Sequence, residues 1–240
     1  MVKEKPQEKV RLSHNRSSHS IGGNNFLWEF GVVLKNVFNY THFSNLSVKL
    51  RLGSLYNYIL DKFEGIDTSG YVLQNEISSN TKIKYGPGGW RDLKITLNQK
   101  VSVDDVFIDF GSGKGRMVYL ASRYYPFRKV IGVEIFENLN QVARKNIERN
   151  MLKLRCKDVQ LVTANVSNYT IPDEVTVVYF YDPFRGSVFS DLIQRLRVSL
   201  NRHPREMRII YRNPRMHDCL IENGFTVSIK LDELIMYIGN

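Results

Sequence analysis

The run VFIDFGSGKGR puts an acid, Asp109, at the end of five residues that read as a buried strand, with glycines following at 111, 113 and 115. Such a turn bends the backbone sharply and leaves main-chain N–H groups open to a ligand that a Cβ would shield. A phosphate-cradling loop needs GxxxxGK followed by Ser or Thr, whereas Lys114 sits between glycines with no hydroxyl after it. A dinucleotide turn wants GxGxxG, but the third place is Arg116 and the spacing is GxGxG. The next strand-like run, KVIGVE, ends in a second acid, Glu134. A carboxylate at the tip of a second strand accepts from both hydroxyls of a ribose; dinucleotide enzymes use the same device, so Glu134 indicates a ribose without choosing the ligand. A third acid, Asp182, closes VVYFYDPF and precedes Pro183 and Phe184, although Asp-Pro also commonly opens a turn. His14, His19, His42, His203 and His217 show no metal-ligand spacing, so no metal is expected.

Strand-like segments at 105–109, 129–134, 158–163, 175–181 and 207–211 would position these residues. Helical patterns separate the early ones, notably Leu139, Val142, Ala143, Ile147 and Met151, then Phe189, Leu192, Ile193, Leu196 and Leu200. That alternation predicts an α/β fold, a mostly parallel sheet with helices on both faces. The ending GFTVSIKLDELIMYIGN reads as two strands joined near Asp232 and Glu233, an antiparallel hairpin that brings the strand count to seven. Ligands of open parallel sheets bind beyond the carboxyl ends of the strands, which gathers Asp109, the glycines, Glu134 and Asp182 on one edge. Upstream, Phe26, Leu27, Phe30, Val33, Leu34, Val37 and Phe38 predict one helix, and Leu52, Leu55, Ile59 and Phe63 a second that stops near Gly65. YGPGG then marks a flexible turn before a short helix from about Trp90 to Leu97. The expected organisation is a disordered basic tail (1–24), a helical extension with a lead-in loop (25–100), and a ligand-binding domain (101–240).

The 240 residues carry a formal charge of +10 and are 42% hydrophobic. Basic residues cluster in the tail, at Arg144, Lys145, Arg149, Lys153, Arg155 and Lys157, and at Arg202, Arg205, Arg208, Arg212 and Arg215. Such clusters suit nucleic acid or an acidic protein, or simply a solvated surface. Cys156 and Cys219 form no CxxC pair and fit a reducing compartment. No apolar run approaches the roughly 20 residues of a membrane span, and the N-terminus has no apolar signal segment. The expectation is a soluble, cytoplasmic protein.

The runs FIDFGSGKGRMVYLAS, VIGVE, LVTANVSNY and VVYFYDPF resemble, in this order, the motifs of class I S-adenosylmethionine-dependent methyltransferases, especially small bacterial ones of unassigned substrate. The resemblance spans about residues 83 to 240 and implies a Rossmann-like seven-stranded sheet with a reversed C-terminal hairpin. It also implies an EC 2.1.1 enzyme that leaves S-adenosylhomocysteine as product. Asp109, Gly111, Ser112, Gly113 and Gly115 would surround the methionine part of the cofactor, and Glu134 would bind the ribose. Where the family often has an acid near the adenine, this chain has Asn165, which can still accept from and donate to an adenine edge. Tyr85 and Trp90 belong to the lead-in that would fold over the cofactor, with helix-to-sheet packing the plainer role for Trp90. Arg116 would face the cofactor carboxylate or a substrate phosphate. YFYDPF is similar to the (Asn/Asp)-Pro-Pro-(Tyr/Phe) motif of amino-group methyltransferases with one proline missing. By that likeness Asp182 orients or deprotonates the acceptor and Phe184 lines its pocket. The acceptor stays open among a protein side-chain amine, a nucleic-acid base and a small molecule, with a nitrogen of a protein side chain or a nucleic acid favoured. The alternative is a catalytically silent cofactor-binding module serving RNA binding or scaffolding, which the intact acids and glycines disfavour.

Overall fold

The structure is a computed structural model that describes residues 46–70, 72–75, 82–98 and 100–240. The expected tail and the helix from Phe26 to Phe38 lie outside the described residues. Two compact units are present, the larger running from Gly88 to Asn240 and the smaller ending at Pro87.

In the smaller unit, α1 (Leu46–Glu64) is followed by β1 (Val72–Asn75) and β2 (Lys82–Tyr85), which pair antiparallel with Val72 opposite Tyr85. The helix stops at the predicted place, where Gly65 takes a left-handed φ of 76°. The hairpin was not predicted from the sequence. Asp61 organises the turn after the helix: its carboxylate accepts from the Thr68 amide at 2.6 Å and hydroxyl at 2.8 Å, and from the Ser69 amide at 2.5 Å and hydroxyl at 2.7 Å. With four donors converging on one buried carboxylate, Asp61→Ala is expected to destabilise this unit by about 2 kcal/mol. Hydrogen exchange at the Thr68 and Ser69 amides reads the effect locally, and unchanged protection there would contradict it.

The larger unit begins with α2 (Asp92–Leu97) and continues β3 (Val106–Phe110), α3 (Arg116–Tyr124), β4 (Lys129–Glu134), α4 (Glu137–Arg149), β5 (Val159–Thr163) and β6 (Val177–Tyr181). It ends with α5 (Ser187–Arg202), β7 (Met207–Arg212), α6 (His217–Glu222), β8 (Thr226–Leu231) and β9 (Leu234–Gly239). Seven strands form one sheet in the order β5-β4-β3-β6-β7-β9-β8. The first five are parallel, and β9 runs antiparallel between β7 and β8, as the terminal hairpin predicts. β3 is buried along its whole length because β4 and β6 flank it and helices cover it, which is why VFIDF carries no polar alternation. Phe189, Leu192, Ile193, Leu196 and Leu200 of α5 are buried at the predicted helical spacing. Among the described residues no helix is long and apolar enough to cross a membrane.

Strand order reverses beside β3, since β4 and β6 lie on its two sides. That switch point opens at the carboxyl ends of β3, β4 and β6. At the opposite end of the sheet, Arg208 donates to Asp105 Oδ1 at 2.6 Å, and the Thr176 hydroxyl donates to the same oxygen at 2.7 Å. β3, β6 and β7 are thereby pinned below the site.

Candidate functional site

The chain leaves β3 at Phe110 and turns through Gly111, Gly113 and Gly115, whose φ angles are 82°, 54° and 80°. The turn is stitched to β4: the Gly111 and Ser112 amides donate to the Val133 carbonyl at 2.8 and 3.1 Å, and the Gly113 amide donates to Glu134 Oε2 at 2.7 Å. The other carboxylate oxygen, Glu134 Oε1, accepts from the Phe136 amide at 3.0 Å. Beyond their φ angles, two of the glycines are required by packing. A Cβ on Gly111 would stand 2.7 Å from Pro183 Cβ, and one on Gly115 would stand 2.8 Å from Ala143 Cβ. The first keeps the Asp-Pro-Phe loop pressed on the turn, and the second lets α4 close on the start of α3.

Asp109 is 3% exposed and Glu134 6%. Burial pushes the Asp109 carboxyl well above the usual carboxylate range, and the charge of Glu134 pushes it further. Burial also raises Glu134, against the lowering effect of the Phe136, Gly113 and Ile135 amides. The Ser112 hydroxyl, in the same turn, is buried without a hydrogen-bond partner. Two buried carboxyls, close enough for the charge of one to act on the other, and an unmet hydroxyl leave demand for a ligand that brings a cation and several hydroxyl donors. An α-ammonium beside Asp109 and a ribose diol beside Glu134 fit that demand, so the residues present suit S-adenosylmethionine.

Asp182 directly follows β6 and takes a left-handed φ of 38°. Its Oδ1 accepts from Arg185 Nε at 3.1 Å, and Oδ2 accepts from Arg185 Nη2 at 2.7 Å and Asn213 Nδ2 at 3.1 Å. Arg215 Nε also lies 3.1 Å from Oδ2. Phe184 packs edge-on to Phe180 with ring centroids 6.5 Å apart, and tilted on Phe189 at 6.2 Å. Asn165 caps the short 3-10 turn after β5, its side chain accepting from the Ser167 amide at 2.9 Å. Arg116 is buried, donates to the Gly88 carbonyl at 2.9 Å and lies 4.9 Å over the Trp90 ring. Tyr85 belongs to the smaller unit, where its hydroxyl donates to the Thr68 carbonyl at 2.8 Å.

Sequence reasoning missed Asp92, Tyr179 and Arg212, which form a buried cluster behind the turn. Asp92 accepts from Arg212 Nε at 2.6 Å and Nη2 at 2.5 Å, from the Tyr179 hydroxyl at 2.7 Å, and from the Gly89 amide at 3.1 Å. Burial works against the charge of Arg212, but the hydrogen bonds and charge of Asp92 outweigh it and hold its pKa above the usual guanidinium value. Burial first, and then Asp92, raise Tyr179 well above an ordinary phenol. Gly88 gives this cluster its space, since a Cβ there would meet the Tyr179 hydroxyl at 2.6 Å. The cluster is contiguous with the site because Tyr179 pairs with Asp109 across β3 and β6.

The sequence profile of the family described as Histone methylation protein DOT1 matches residues 75–176. A protein-lysine N-methyltransferase of Saccharolobus islandicus (strain REY15A) is 33% identical over 81 residues, 34% of this chain and 48% of that protein. The chain thus spans about half the length of the curated relative it matches. Among solved structures it is similar to an RNA methyltransferase from Salinibacter ruber in complex with S-adenosyl-L-homocysteine, at 23% identity and a TM-score of 0.46, covering 63% of this chain and 91% of that one. It is also similar to a SAM-dependent methyltransferase from Aquifex aeolicus, at 13% identity and a TM-score of 0.47, covering 61% and 88%. The chain's own strand order and its reversed last pair give the larger unit a Rossmann-like fold, a mostly parallel seven-stranded sheet with its glycine turn tied to the acid of β4.

Proposed function

We propose that the protein is a methyltransferase that uses S-adenosylmethionine and methylates a nitrogen, the side-chain amine of a lysine in a protein. The observation that carries this reading is the pair of buried carboxyls, Asp109 and Glu134, on either side of the glycine turn at the switch point of the sheet. When bound, the cofactor supplies a methyl group already activated on a sulfonium. The chain's residues then have to bind, align and exclude water. Glu134 holds the ribose and fixes the Gly113 amide; Asp109, raised by burial and by Glu134, meets the ammonium of the methionine part. Gly111 lets Pro183 close on the turn and sets the Asp182 loop beside the reacting edge. The acceptor class is supported by the match to the lysine methyltransferase of Saccharolobus islandicus and by the likeness of YFYDPF to amino-group methyltransferase motifs. Two free cysteines, Cys156 and Cys219, suit a cytoplasmic, reducing setting.

Calorimetry on the full chain is expected to show S-adenosylhomocysteine binding at micromolar strength and no heat with NAD. Glu134→Ala is expected to weaken that binding by about 1 to 3 kcal/mol, the scale of lost charged hydrogen bonds. Labelled methyl transfer into fractionated lysate then identifies the acceptor, with lysine in protein as the expected product. NAD binding without a response to S-adenosylhomocysteine would sink the cofactor assignment, and tight binding with no incorporation would leave a silent binding module.

A further inference from the structure

Beside the glycine turn, the carboxyl ends of β6 and β7 carry an unusual pair of backbone conformations. Asp182 and Asn213 both hold left-handed φ angles, 38° and 54°, without being glycine. Asp and Asn take this region more readily than other non-glycine residues, because their short polar side chains bond locally, and at functional sites such contacts hold it. Here the enforcing contacts include the bond from Asn213 Nδ2 to Asp182 Oδ2 and the two arginines on the same carboxylate. With three side chains already on Asp182 Oδ2 and a fourth bond on Oδ1, the carboxylate is occupied as an acceptor. It is therefore better built to hold guanidiniums than to take a proton from a substrate. The side chain of Asp182 is only 12% exposed, whereas those of Arg185 and Arg215 are each 55% exposed. One carboxylate between two guanidiniums leaves a net positive charge, and each guanidinium has five N–H donors, more than Asp182 engages. Planar forks of this kind match a carboxylate bidentately.

We propose that Arg185 and Arg215 form an anion clasp for an aspartate or glutamate lying close in sequence to the methylated lysine, with Asp182 as the residue that positions both arginines. The proposal rests on the reading of the acceptor as a protein amine. The surroundings favour a single carboxylate over a nucleic-acid backbone. Arg215 also lines a cavity of about 440 Å³ whose wall includes Asp218 and Glu222. Those two acids would repel a run of phosphates, while a peptide with one acid can reach the arginines and turn a neutral or basic stretch toward them.

The test uses the full chain, labelled S-adenosylmethionine, and short peptides with one central lysine flanked by aspartate, glutamine or arginine. The wild type is expected to favour the aspartate-flanked peptide over the glutamine-flanked one by about tenfold in kcat/KM, the scale of a charge-assisted bidentate contact. Arg185→Gln with Arg215→Gln is expected to bring that ratio to about one, and Arg185→Lys to give an intermediate ratio because charge stays while the fork is lost. Reversal, Arg185→Glu with Arg215→Glu, is expected to shift the preference to the arginine-flanked peptide. A structural role alone would lower all three rates together. S-adenosylhomocysteine binding, measured in each variant, checks that the turn is intact. Peptides methylated with no acid preference, or a preference that survives both double substitutions, overturn the clasp alone. Methylation of an RNA oligonucleotide in place of every peptide overturns the clasp and the protein-amine reading together.

Discussion

Asp92→Ala is expected to cost the larger unit about 3 kcal/mol of stability, the lower end of the range for breaking a buried ion pair by removing one partner. Asp92 is 1% exposed and accepts from Arg212 twice, from the Tyr179 hydroxyl and from the Gly89 amide. Alanine leaves a guanidinium and a buried phenol without their acceptor, so the loss is the desolvation of both groups rather than the worth of one contact. Arg212 keeps some access to solvent and lies 4.0 Å from Glu233, which places the effect at the lower end. For a unit of this size the midpoint of thermal unfolding should fall by roughly 6 to 12 °C. The apolar replacement Asp92→Leu, Arg212→Met and Tyr179→Phe removes the guanidinium and the phenol at once, leaving only the Gly89 amide of the donors to Asp92, and should recover most of the loss. Because the Gly88 and Gly89 loop packs on this cluster, the single substitution is also expected to weaken cofactor binding. A drop of less than about 1 kcal/mol, or a triple variant no better than the single one, would contradict this account.

The sheet was legible because its inner strands are buried on both faces, so VFIDF and VVYFY appear as nearly unbroken apolar runs and MRIIYR keeps an apolar centre between two arginines. The reversed pair was legible from the turn at Asp232 and Glu233. Three short elements left no such pattern. β1 and β2 have four residues each, and α6 has six, too few for a helical or alternating period to emerge from one sequence. At the site, Asp109 and Glu134 could be found from residue type and strand position. The demands on Gly111 and Gly115 could not, since Pro183 and Ala143 reach them only through tertiary packing. Asp92 and Arg212 are 120 residues apart in sequence, and nothing local pairs them. Asp182 was readable as a strand-end acid, but the partners that occupy it were only partly so. Arg185 follows it by three positions, while Asn213 and Arg215 arrive from the end of the next strand.

Asp109→Asn is expected to separate stability from binding. Burial, with the charge of Glu134 added, raises the Asp109 carboxyl well above the ordinary value. A carboxyl raised in the folded state contributes fully to stability below its unfolded pKa, and that contribution is lost as pH rises through the folded pKa. At neutral pH the carboxylate, ionised in the unfolded chain, must take up a proton or be buried charged when the wild type folds without ligand, and either costs stability. The amide that replaces the carboxyl has no charge to bury, so the variant should be more stable at pH 7 by about 0.5 to 2 kcal/mol, the usual gain when a functional group's strain is relieved. The advantage should shrink toward zero as pH falls to the ordinary carboxylate range, near pH 4. Binding should move the opposite way: without the carboxylate, the ammonium of S-adenosylhomocysteine loses its counter-charge, and affinity should fall about tenfold to a hundredfold. The same logic predicts a proton released when ligand binds to the wild type, because a cation beside Asp109 favours its ionised form. Calorimetry in buffers of different ionisation enthalpy measures that proton directly, and Asp109→Asn should reduce it. A variant that is less stable than wild type at pH 7, or that binds S-adenosylhomocysteine as tightly, would remove Asp109 from the role assigned to it.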